Sequence, residues 1–179
     1  MRHAAYDKPF QVNPIAQAWI DWSEANIGEF DIAAVLHAPV WLADATETTG
    51  FEKLLRRALN QLDRYALGSL HRHQQLRLPR LVTIERAKGA GLHAHISIKL
   101  WKQDGEYVQS PAIIADEITD IWKSLIKPSP EFASYCAYAQ ANAGHHLRYS
   151  LKHIGSDNWH SGQVDVLNSA PDALRYLQA

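Results

Sequence analysis

The chain has 179 residues, 46% hydrophobic and 21% charged, which fits one globular domain with a sizeable core. Its net charge is −1, and its single cysteine, Cys136, excludes an internal disulfide framework and suits a reducing compartment. No apolar run is long enough to span a membrane and Met1–Lys8 lacks a signal-peptide core, so no membrane partner and a cytoplasmic location are expected.

In chain order, Asn13 before Pro14 reads as a cap and first turn. The helix it opens runs to about residue 26, with Ile15, Trp19 and Trp22 on its apolar side; residues 1–30 read as an N-terminal helical extension. Asp31 to His37 reads as a buried strand. Pro39 to Gly50 reads as a loop, with Trp41 either in the core, the favoured reading, or a base-stacking platform. Thr48 or Thr49 can cap a helix running to Ala66, with Leu55, Leu59 and Leu62 inward and Gly68 as its stop. Nine basic and three acidic residues lie between Phe51 and Lys88, a local +6 that leaves −7 for the rest. Such asymmetry can serve a phosphate-tracking surface. Within it, Leu70–Arg77 is irregular and reads as a basic loop close to the hairpin that follows.

That hairpin carries the clearest chemistry. Leu92 to Leu100 alternates strictly, so Leu92, Ala94, Ile96, Ile98 and Leu100 face a core while His93, His95, Ser97 and Lys99 face the other way. His93 and His95 then stand about 7 Å apart on one face, close enough to share a metal ion; the plainer reading is two exposed histidines on a wet face. Leu81–Arg86 is a second β-rich run, joined by the glycine-containing link Ala87–Gly91. If Arg86 faces Leu92, Glu85 lies opposite His93 and Thr83 opposite His95, with Cβ atoms about 5 Å apart. Glu85, His93 and His95 would suit Mg²⁺ or Mn²⁺ with open coordination positions. A one-residue slip would turn Glu85 away, and His145, His146 or His153 could then replace or assist it.

Gln103–Glu106 reads as a polar loop, and Pro111 starts a helix to about Ile126 with Ile114, Ile118, Ile121, Trp122 and Leu125 as its stripe. Phe132 to Gln140 is read as a strand. His145 to Gly155 has helical spacing: Leu147, Leu151 and Ile154 take one side, Tyr149 and Lys152 the polar side, and Gly155 is placed as a left-handed cap. A lysine beside a tyrosine can stabilise a phenolate or bind a phosphate. Gln163–Leu167 reads as a short strand and Pro171–Leu177 as a terminal helix. The elements do not alternate as parallel βαβ units would, so the expected fold is α+β, a central antiparallel sheet with helices packed against it.

The His-Ala-His strand (93–95), the acidic residue just upstream and the later Tyr149-Ser150-Leu151-Lys152 together resemble the HUH endonuclease superfamily. Within it they are most similar to the single-tyrosine rolling-circle replication initiators, whose tyrosine follows the histidine strand. The resemblance covers roughly residues 31 to 155 of one domain. It implies Tyr149 and Lys152 as catalytic residues, with Glu85, His93 and His95 holding Mg²⁺ or Mn²⁺. It also implies single-stranded or hairpin DNA as partner, with Arg72, His73, Arg77, Arg86, Lys88 and Arg148 as candidate contacts. The chain has no Walker-type loop and no room for a helicase domain, so replication would need a separately encoded helicase. A transposase of the same mechanism and a non-catalytic DNA-binding accessory protein are the alternatives.

Overall fold

The structure, a computed structural model, describes residues 30–43, 48–87 and 91–141, together with 17, 18, 21, 22, 25, 146, 162–165, 168 and 169. Its centre is a five-stranded, wholly antiparallel sheet built from β1 (Ile32–His37), β2 (Arg80–Ala87), β3 (Gly91–Ile98), β6 (Ala137–Ala141) and β7 (Gly162–Val164). The strand order is β6-β1-β3-β2-β7, so β3 is central, with neighbours on both sides. A separate two-stranded hairpin, β4 (Lys102–Gln103) and β5 (Glu106–Tyr107), stands where the sequence suggests only a polar loop. Its turn, Asp104-Gly105, has both residues at positive φ (53° and 84°), the conformation that Asp-Gly supplies in tight hairpins.

One face of the sheet is covered by α2 (Thr49–Leu67) and α4 (Pro111–Ile126). From α2, Phe51, Leu55, Ala58, Leu59 and Leu62 are fully buried, a helical stripe spaced three and four apart. From α4, Ile114, Ile118 and Trp122 meet them, with the Phe51 and Trp122 rings edge to face at 5.8 Å. Both helices rest on Ala34, Leu36, Val82, Ile84, Ala94 and Ile96, which the period-2 pattern places on a single face. The architecture is therefore α+β, as the alternation and the helical stripes imply.

Shorter helical segments, α1 (Val40–Ala43), α3 (Ser69–Gln74) and α5 (Pro130–Ala133), link the main elements. Three readings of the sequence change here. Trp41, favoured for the core, lies on α1 and is 67% exposed. The strand read from Phe132 is helical through Ala133 and extended only from Ala137, because Ser129 caps α5 by accepting from the Phe132 N–H. The basic stretch 70–77 is not an irregular loop beside the hairpin's metal end. Most of it is α3, closed by Gln75 in the left-handed region, and Leu70 and Leu76 pack against the helix-side core. The chain then enters β2 at Arg80, opposite Ile98, five residues or about 16 Å of strand from Glu85.

A buried polar network ties α2, β2 and the residues after β7 together. Arg80 pairs with Asp63 of α2 at 2.7 Å, both side chains being essentially inaccessible. The same Asp63 oxygen accepts from the Leu78 N–H, and the Arg80 Nε donates to the Asn168 carbonyl. Asn168 donates in turn to the Glu52 carbonyl, and the Ser169 hydroxyl accepts from the Val82 N–H.

Candidate metal centre

The register of the hairpin places the site. Arg86 faces Leu92, Glu85 faces His93 and Thr83 faces His95, so Glu85, His93 and His95 share the sheet face opposite the two long helices. Both β2 and β3 have a neighbour on each edge, so these side chains project from strands braced by hydrogen bonds on both sides. The face is not wet: Glu85, His93 and His95 are 7%, 6% and 4% exposed. Buried polar groups are costly unless they find partners, and the three find each other.

The Glu85 Oε2 lies 3.2 Å from the His95 Nε2 and 3.8 Å from the His93 Nε2, and one donor atom from each residue falls within 4.8 Å of the others. Donors bound at about 2.1 Å around one small ion sit roughly 3 Å apart when adjacent and 4.2 Å apart when opposite. The two carboxylate–imidazole separations fall within that range. The His93 Nδ1–H donates to the Gly91 carbonyl at 3.2 Å, which holds the ring with its Nε2 on the side of Glu85. Gly91 has φ 67°, a conformation that glycine adopts without strain, and this aims the carbonyl back at the ring. Beside the cluster, the buried hydroxyls of Thr83 and Ser97 have no hydrogen-bond partner among the described residues, leaving capacity for water or a hydrated ion. The donor set therefore fits a metal ion: this buried cluster can hold one.

Two further histidines, distant in sequence, complete the surroundings. His37 at the end of β1 is the register partner of His93, and their rings stack at 5.2 Å and 23°. Its backbone is pinned twice, by the Trp122 Nε1–H donating to its carbonyl at 3.1 Å and by its own N–H donating to the Cys136 carbonyl. Sequence reasoning missed His37; the signal was the Ala33, Val35, His37 alternation, mute until β1 is known to pair with β3. His146 lies beside His95, ring centroids 5.4 Å apart. Burial pushes its pKa below the usual imidazole value, although a backbone hydrogen bond at Ala34 works the other way. Of the three histidines named as possible substitutes for Glu85, it is the one inside the described residues.

The remaining candidates separate. Tyr149, Lys152, Lys88 and Arg148 lie outside the described residues, as do His145 and His153. Arg86 is exposed at the top of β2, one residue beyond Glu85. Arg77 is exposed in the link between α3 and β2, and Arg72 and His73 are exposed on α3, on the helix side of the molecule. There, Arg64, Gly68, His71, Arg72 and Gln75 line an open cavity of about 270 Å³ at the elbow between α2 and α3.

Comparison of the chain with protein-family models, curated proteins and solved structures returned no match. Among the described residues, no helix is long and apolar enough to cross a membrane.

Proposed function

We propose that the chain is a metal-dependent tyrosine endonuclease of the HUH type, nicking and rejoining single-stranded DNA as a rolling-circle replication initiator does. The observation that carries this reading is the buried Glu85–His93–His95 cluster on the central hairpin, followed in sequence by Tyr149-x-x-Lys152. Such a cluster is more than a binding module needs, because phosphate binding alone is served by exposed basic side chains.

Glu85, His93 and His95 would hold Mg²⁺ or Mn²⁺, and such an ion polarises a phosphodiester oxygen as a Lewis acid. The Tyr149 hydroxyl gives up its proton and its oxygen attacks phosphorus; the P–O3′ bond breaks and the leaving 3′-oxygen takes up a proton. The products are a 5′-phosphotyrosine and a free 3′-hydroxyl. Lys152, three residues after Tyr149 in sequence, stabilises negative charge on the phenolate or the phosphate. Phosphotyrosine retains the energy of the broken bond, so the same residues support rejoining, which suits replication better than degradation.

The test is a cleavage assay on a pool of single-stranded oligonucleotides with Mn²⁺, comparing the native chain with Tyr149→Phe on a denaturing gel. A metal-dependent protein–DNA adduct, absent from Tyr149→Phe, is the expected result. Cleavage that survives the substitution sinks the phosphotyrosine mechanism. DNA binding with neither cleavage nor adduct under any divalent metal leaves a non-catalytic accessory protein.

A further inference from the structure

The metal face carries a second feature, a continuous row of rings that begins in solvent and ends among the buried donors. Tyr135 is 58% exposed and sets its ring nearly perpendicular to that of His37, with centroids 6.2 Å apart. His37 stacks on His93, His93 meets His95 at 4.9 Å, and His95 meets His146. On its other side Tyr135 is braced edge to face by the buried Phe132 at 5.1 Å. Tyr138 joins the same face from the edge strand. Its register partner Val35 is itself opposite His95, which puts Tyr138 two strand spacings, about 10 Å, from the cluster. That ring is 57% exposed, and its hydroxyl donates to the Gln140 Oε1 at 2.6 Å.

The fold buries large rings such as Phe51 and Trp122, yet leaves Tyr135 and Tyr138, like Trp41 and Tyr65, in water, and these two stand on the face of the buried donors. The segment 130–141 that carries them has Glu131 as its one charged residue, so it offers no electrostatic attraction for phosphate. An uncharged, braced ring with free surface is instead a stacking surface for a planar base, and each base–aromatic stack is worth about 1–3 kcal/mol irrespective of base identity.

We propose that Tyr135 and Tyr138 form a nucleobase-stacking subsite that holds an unpaired base next to the metal cluster. The inference rests on the reading of the chain as a single-stranded DNA enzyme. It adds the site that positions the strand, and it locates that site on the face of the sheet opposite the basic α2–α3 elbow.

The experiment measures fluorescence anisotropy of two labelled probes, a thymidine dodecamer and an abasic dodecamer of the same length, in EDTA so that no cleavage occurs. The native chain should bind the thymidine probe more tightly, and the Tyr135→Ala and Tyr138→Ala variants should each lose on the order of tenfold of that difference. Binding of the abasic probe should stay unchanged. Tyr135→Phe and Tyr138→Phe should keep the difference, and thermal melting checks that every variant folds. If the alanine variants retain the full preference for bases, or the native chain binds both probes equally, the subsite is wrong while DNA binding stands. If Tyr135→Phe alone loses binding, the hydroxyl and not the ring is in use, which overturns stacking. A native chain that binds neither probe removes both the subsite and the nuclease reading.

Discussion

At the scale of single residues, Glu85 is the hinge of the metal site. It is the one carboxylate in the donor cluster, and it lies within 3.8 Å of both imidazoles from the side of β2. Glu85→Gln keeps size and shape but removes the anionic donor. Outer-sphere partners of a metal typically cost 10–100-fold in affinity when lost, so loss of a direct ligand should weaken Mn²⁺ binding by more than about 100-fold. Isothermal titration of the native and variant chains checks this; equal affinities would move the metal elsewhere. Glu85, His93 and His95 were legible in the sequence because period-2 alternation is local and a hairpin's register follows from a short link. The burial of the same residues was not legible. Alternation separates an apolar from a polar face, but whether the polar face meets water depends on what packs over it, which no local pattern encodes. His37 escaped for a related reason, since it reaches the cluster only through β1–β3 pairing, whereas His146, named in the sequence only as a substitute or helper for Glu85, lies beside His95.

Among elements, the strands and long helices were the readable part: β1, the β2–β3 pair, α2 and α4 fall close to where alternation, stripes and caps put them. The connections were less so. Residues 70–77 have a run of polar and basic side chains that looks like a loop, but two leucines six apart, Leu70 and Leu76, anchor both ends against the core and let α3 form between them. Nor does composition reveal that Asp63, one residue after the apolar Leu62, turns inward to pair with Arg80. This pair joins α2 to the first residue of β2. Removing one partner of a buried pair leaves an uncompensated charge, at a cost of about 3–5 kcal/mol. Asp63→Ala should therefore lower the unfolding free energy by that amount in urea, while Asp63→Leu combined with Arg80→Met should cost less than either single change. A double variant as unstable as the sum of the singles would show that the hydrogen bonds to Leu78 and Asn168, not the charges, matter most.

For the whole molecule, the sheet divides the chain's duties. Its helix side holds the apolar core and the basic elbow of Arg64, His71 and Arg72; its other side holds the donors together with Tyr135 and Tyr138. Metal binding at a site that exists only in the folded chain must add to stability. At free Mn²⁺ one hundred times Kd the gain is about 2.7 kcal/mol, or roughly 5–11 °C in Tm for a chain of this length. Calorimetry with Mn²⁺ and with EDTA measures it, and an equal shift in Glu85→Gln would mean that the ion stabilises the fold from another place. The central position of β3 also bears on time. Local openings start where backbone hydrogen bonds are fewest, at β6 and β7 on the two rims. The amides of His93 and His95 belong to the last unit to exchange with solvent, so the rim strands can open locally while the donors stay aligned until the entire chain unfolds.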